Sequence, residues 1–190
     1  PVMYFSTDYV FSGEGSKPWN EYDERNPLNV YGKTKYEGEL AVESYPKHFI
    51  IRIAWVFGKN GHNFIKTMLR LGKEKGTVSV VNDQIGSPTY TFDLAKLVID
   101  MIQTDKYGTY HATCKGLCSR YDFAREILSL AGLHAEVKEI SIADSKEHLV
   151  RPAYAVLDNF ILRIIDVYEM PKWKQSLEEY IAEWKEETHE

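Results

Sequence analysis

The sequence predicts an α/β protein built on a parallel sheet, and three observations carry that prediction. Short apolar runs alternate with stretches of helical character along most of the chain. One run, Phe49-Ile50-Ile51-Arg52-Ile53-Ala54-Trp55-Val56-Phe57, is almost continuously apolar, as a strand covered on both faces must be. Internal repeats and low-complexity tracts, which would point to a solenoid or a disordered segment, do not occur.

The elements follow in order. Val2 to Ser6 reads as a short buried strand with no lead-in, which leads us to expect a preceding segment. A polar loop runs from Ser12 to Pro27, and Gly13-Glu14-Gly15 within it reads as surface. Asn29 to Tyr45 is a helix, with Asn29 as N-cap and Glu37, Glu39, Leu40 and Ala41 as good formers. The apolar run from Phe49 to Phe57 is a strand ended by Gly58. Asn63 to Lys75 carries Phe64, Ile65, Met68, Leu69 and Leu71 at helical spacing, with Gly76 closing it. Strands at Thr77–Val81, Gly108–Ala112 and Val137–Ile142 alternate with helices at Phe92–Ile102 and Tyr121–Leu130, the latter opened by Ser119 and closed by Gly132. Ser176 to Glu186 is a terminal helix, and Trp173, Tyr180 and Trp184 near it form a docking seam.

Composition narrows the function. Twenty-three basic against 28 acidic residues give a net charge of −5, which offers no polycationic surface to nucleic acid. No run of about 18 apolar residues exists to span a membrane, and Pro1-Val2-Met3-Tyr4-Phe5 lacks the basic region that opens a signal peptide. Two cysteines, Cys114 and Cys118, make no disulfide framework; with a three-residue gap and no companion cluster they read as free thiols in a reducing, cytoplasmic setting. Glu21, Asp23 and Glu24 share one loop and read as a solvated charge cluster.

The chemical signal is Tyr31-Gly32-Lys33-Thr34-Lys35. Tyr31 and Lys35 are four apart in a helix and so share one face. A phenol titrates near ~10, and a neighbouring ammonium favours its ionised form, bringing it toward useful proton transfer. Ser6-Thr7-Asp8-Tyr9-Val10-Phe11 adds a hydroxyl at the carboxyl end of the first strand, where open α/β sheets bind ligands.

With these motifs the chain resembles the extended short-chain dehydrogenase/reductases, which are Rossmann-like in fold. Within them it is similar to the dTDP-4-dehydrorhamnose reductases. Pro27 to Lys35 with Glu37-Gly38-Glu39, Arg52 to Gly58, Gly86-Ser87-Pro88-Thr89 before Asp93-Leu94-Ala95, and Arg151-Pro152 all carry the likeness. The resemblance implies reduction of the 4-keto group of a dTDP-linked 6-deoxy sugar, in dTDP-rhamnose synthesis, with hydride from NADPH or NADH. It implies that Tyr31 is the proton donor, that Lys35 and Tyr31 contact the nicotinamide ribose, and that Thr7 polarises the ketone. Asp8, Tyr9, Trp55 and Arg151 would contact the substrate, Arg151 through a diphosphate. Dehydratases of this family carry Thr-Asp-Glu where this chain has Thr7-Asp8-Tyr9, which favours reduction over elimination.

The resemblance also admits magnesium held by carboxylates it does not locate, and leaves room for a homodimer. It places the chain after the family's fourth strand, so residues 1–58 read as a remnant of the dinucleotide-binding domain carrying the catalytic residues. Residues 59–190 read as mainly a substrate-binding region with elements returning to the sheet. No Gly-rich pyrophosphate turn occurs in these residues, from which we expect weak cofactor binding and no activity from them alone. Ala155, where a Ser is common, departs from the pattern. Another epimerase or reductase of the family, or a non-catalytic reductase-like regulatory subunit, are the alternatives.

Overall fold

Thr7 and Ile53 sit side by side at the ends of two parallel strands, and the chain turns sharply away after each of them. In the computed structural model, which describes residues 1–145 and 150–188, strand β1 (Val2–Thr7) leads through a 3-10 turn at Asp8–Val10 and a long loop into α1 (Val30–Glu43). Asn29 caps α1 as expected, its side chain accepting the Gly32 N–H at 2.8 Å. The chain continues as β2 (His48–Ile53), β3 (Val56–Phe57), α2 (Phe64–Glu74), β4 (Thr77–Val81), β5 (Ile85–Gly86), β6 (Thr89–Tyr90) and α3 (Thr91–Met101). Then come β7 (Gly108–His111), β8 (Cys118–Ser119), α4 (Arg120–Ala131), β9 (Glu136–Ile140), β10 (Tyr154–Ala155), α5 (Phe160–Ile165) and α6 (Trp173–Thr188).

The main sheet has the order β1-β2-β7, all parallel, so β7 returns to lie beside β2. β4 pairs with β9 and β3 with β6, again in parallel, while β5 lies between β10 and β8 with an antiparallel partner in β8. The α/β architecture with parallel strands is thus as expected. Helix limits follow their caps: Asn63 accepts from Lys66 at the start of α2, Ser119 and Asp122 form a capping box on α4, and Gly132 ends α4 at φ 72°. The terminal seam also holds: Trp173 meets Phe123 edge-on, and Tyr180 meets Phe57 and Tyr90. Leu177 lies between them with no exposure.

Three sequence expectations need correction, and some short elements went unread. The run Phe49–Phe57 is not one strand, because Trp55 adopts a left-handed backbone at φ 46° and turns the chain out of the sheet. Thr89 repairs that break: its Oγ1 donates to the Ala54 carbonyl at 2.6 Å and its N–H to the Trp55 carbonyl at 3.3 Å. Glu21 is not solvated. It is buried, and one carboxylate oxygen accepts from the His111 and Ile161 N–H groups. Gly13 is not surface either; at φ 72° it packs against Pro152, where a Cβ would lie 2.3 Å from the proline Cβ. Its carbonyl accepts from the Tyr154 N–H at 2.9 Å and so ties the loop after β1 to the segment bearing Arg151. Finally, α5 and the two-residue strands β5, β6, β8 and β10 carry no sequence signal we read.

A polar cluster lies under the carboxyl end of β2. Arg52, 2% exposed, donates to both oxygens of Glu39 at 2.8 Å. Arg25 adds a bond to Glu39 at 2.9 Å. Burial raises the Glu39 carboxyl and the Arg52 bonds lower it, with a net effect downward. His111 Nδ1 faces the Trp19 and Asp158 carbonyls, so it carries the proton, and Nε2 accepts from Arg52 at 3.3 Å. Burial and the Arg52 charge hold this histidine well below its ordinary value, and therefore neutral. Cys114 and Cys118 are free, as expected, and both are buried. Among the described residues no helix is long and apolar enough to cross a membrane.

Candidate active site

Because β1 and β2 end level with each other and their chains diverge, a crevice opens at their carboxyl ends. Thr7 closes β1 in extended conformation, which lets its Oγ1 cap the following turn by accepting the Tyr9 N–H at 3.3 Å. The same oxygen donates its one proton to Asp8 Oδ1 at 2.9 Å. Asp8 is 3% exposed, and its second oxygen is buried without a hydrogen-bond partner among the described residues. Burial pushes this carboxyl up to about 6, against the Thr7 bond and the charge of Arg120.

Helix α1 brings Tyr31 to the crevice on its first turn, with the side chain 53% exposed. Its ring meets Tyr9 edge-to-face at 5.5 Å. Gly32 permits this closeness, since a Cβ there would lie 2.2 Å from the Tyr9 carbonyl oxygen. One turn on, the Lys35 ammonium donates to the Phe5 carbonyl at 2.6 Å and lies over the Tyr4 ring at 4.3 Å. Across the crevice, the Tyr9 hydroxyl accepts from Arg151 Nη1 at 3.1 Å. Burial raises the Tyr9 phenol while the Arg151 charge opposes it.

The Trp55 indole forms a wall, seated against Gly86, whose absent side chain would come within 2.5 Å of the ring. Arg120, the first residue of α4, stacks on that ring at 3.7 Å and bonds Gln84 through Nε at 3.4 Å. Burial draws its guanidinium down to about 10, still charged at neutral pH.

One cavity of about 760 Å³ is lined by Thr7, Asp8, Tyr9, Tyr31, Lys35, Trp55 and Arg151, every residue singled out from the sequence. Arg120 lines it too and was missed. Only its place directly after the Ser119 cap is visible in the sequence, and that signals a helix start and nothing about the crevice. Among the described residues no group of three or more His, Cys, Asp or Glu could hold a metal ion, so the magnesium admitted by the resemblance gains no support.

Comparison with known proteins agrees with this picture. The family model of the RmlD substrate binding domain matches residues 1–186. The spore coat polysaccharide biosynthesis protein SpsK of Bacillus subtilis is 40% identical over 183 residues, covering 95% of this chain and 64% of that protein. The dTDP-4-dehydrorhamnose reductase of Aggregatibacter actinomycetemcomitans is 43% identical over 170 residues, covering 83% of this chain and 58% of that enzyme. A crystal structure of the Bacillus anthracis dTDP-4-dehydrorhamnose reductase, in complex with NADP, superposes with a TM-score of 0.93 at 42% identity, over 95% of this chain and 65% of that one. The chain thus spans less than two thirds of the length of these relatives. With a family model matching nearly its whole length, the chain belongs to the dTDP-4-dehydrorhamnose reductase (RmlD) family of extended short-chain dehydrogenase/reductases.

Proposed function

We propose that these residues carry the proton-donating and sugar-gripping part of an NAD(P)H-dependent reductase acting on the C4 ketone of a dTDP-linked 6-deoxy sugar, in dTDP-rhamnose synthesis. The observation that carries this reading is the gathering of Thr7, Tyr31 and Lys35 around one cavity at the carboxyl ends of β1 and β2. When bound, the nicotinamide supplies the hydride. The exposed rim suits its ribose, since the Tyr31 phenol and the Lys35 ammonium are donors one helical turn apart, and the Phe5 carbonyl uses only one of the three ammonium protons.

Tyr31 gives its proton to the ketone oxygen as negative charge develops there. Thr7 holds that oxygen by a hydrogen bond. Trp55 packs against the sugar ring, and Arg151 with Arg120 offers guanidinium forks suited to a diphosphate. Tyr9 rather than a carboxylate follows Asp8, which leaves elimination without its extra base. On this reading residues 1–58 hold the reacting groups, while residues 59–190 close the cavity from the opposite side and reach back into the main sheet through β7.

Tyr31→Phe tests the assignment in the catalytically competent protein. Turnover should fall by about 10² or more, and unchanged turnover removes Tyr31 from the mechanism. Since no Gly-x-x-Gly-x-x-Gly turn lies within residues 1–190, titration of these residues alone with NADPH should give weak binding and no reduction. A low-micromolar dissociation constant would overturn that part.

A further inference from the structure

We infer that Asp8 is a positioning residue that sets which way the Thr7 hydroxyl proton points, and thereby whether the cavity accepts a ketone or an alcohol at that position. The inference rests on the reductase reading above and deepens it.

A hydroxyl has one proton to give. Here Thr7 spends it on Asp8 Oδ1 at 2.9 Å and spends one lone pair on the Tyr9 N–H at 3.3 Å. What remains for the cavity is a lone pair. An alcohol can donate to it, whereas a ketone oxygen, itself only an acceptor, cannot bond there. Turning the proton toward a ketone strips Asp8 Oδ1 of its partner, and Oδ2 already has none. A buried carboxylate that loses its one hydroxyl donor, and keeps only the help of the Asp8 and Tyr9 backbone N–H groups, is disfavoured.

Protonating Asp8 removes the conflict. The neutral carboxyl donates its proton to Thr7 Oγ1, and the Thr7 proton is released to the ketone. The ketone complex therefore takes up one proton from solvent, carried on Asp8, and the alcohol complex gives it back. The Tyr31 proton that ends on the sugar is separate from this one.

The carboxyl is suited to the task, because burial already places its titration at about 6. Among the described residues, the charged and titratable groups that share the cavity with it are Arg120 from α4, Arg151 from the segment before β10, Tyr31 and Lys35 from α1, and Tyr9 on its own turn. Tyr9 is held above its ordinary range and Arg120 at about 10, so neither changes charge near neutrality. Among the described residues no histidine lines the cavity.

Equilibrium titration without cofactor decides the matter, with a dTDP-linked 4-keto-6-deoxy sugar and dTDP-rhamnose as the two probes. The ketone should bind roughly fiftyfold more tightly at pH 6 than at pH 8, as the protonated fraction of Asp8 falls from about one half to about one hundredth, while the alcohol shows no such gain. Asp8→Asn supplies a permanent donor to Thr7, so its ketone affinity should be independent of pH and within about threefold of the wild-type value at pH 6. Asp8→Ala should bind the ketone more weakly than Asp8→Asn at every pH. Equal pH dependence for the two sugars, or Asn no better than Ala, overturns the role of Asp8 and leaves the reductase reading standing. Failure of both sugars to bind at any pH overturns both.

Discussion

Two clusters of buried charge flank β1 and β2, and they differ in how completely their charges are paired. Beneath β2, Arg52 bonds both oxygens of Glu39, Arg25 adds a further bond, and His111 is held neutral between carbonyls and the guanidinium. At the carboxyl end of β1, Asp8 keeps one bond and one bare oxygen, and its nearest compensating charge, Arg120, lines an open cavity. The contrast teaches that buried charge with filled valences serves as scaffold. Buried charge left partly unfilled beside a crevice is available for chemistry. Glu21, with one oxygen bonded twice and the other bare, lies between these extremes.

Breaking the paired cluster should have the largest effect. Arg52→Leu removes both of its bonds to the buried Glu39 and should cost about 3–5 kcal/mol of stability, measured by urea unfolding at unchanged slope. A loss below about 1 kcal/mol would mean that the cluster tolerates open valences as the crevice does.

The unpaired cluster should respond in the opposite sense. Raising the Asp8 carboxyl from 3.8 to about 6 on folding means that the folded state favours its protonated form. The stability linked to that proton is fully present below pH 3.8 and is lost as pH rises through about 6. Asp8→Asn should therefore gain up to about 3 kcal/mol relative to wild type between pH 4 and pH 7.5. Parallel stability profiles for the two proteins would show that Asp8 ionises without cost.

A smaller effect should follow from Gly86→Ala. The new methyl meets the Trp55 ring at 2.5 Å and must displace a wall on which Arg120 also stacks. We expect about 1–3 kcal/mol of lost stability, together with changed tryptophan fluorescence; an unaltered spectrum would show that the wall adapts. The smallest effect belongs to a solvent-facing ion pair. Arg70→Ala, which removes a bond of 2.9 Å to Glu74 between two exposed side chains, should stay within about 0.5 kcal/mol.

Local chemistry made much of this legible. Asn29, Asn63, Ser119 and Gly132 announce helix ends because caps act within a few residues of themselves. Tyr31 and Lys35 share a face by helical geometry, and Thr7 ends a strand where ligands gather. What stayed hidden depends on partners distant in the chain. Trp55 holds its unusual backbone against Gly86 and Arg120, and nothing next to it in sequence demands a turn. Glu21 is drawn inside by N–H groups of His111 and Ile161, far along the chain. Arg120 enters the crevice only because α4 happens to start there. The two-residue strands form where passing segments meet, with too few residues to carry a period.

Gly32 leaves no space between α1 and the Tyr9 carbonyl, and this restricts how the crevice can be reshaped. The phenol of Tyr31 and the polar turn opposite it are mounted on one rigid joint, so substitutions meant to widen the crevice from that side would shift both together. A wider crevice is better sought across the gap, at Trp55 and Arg120, where the lining can be recut while the joint stays intact.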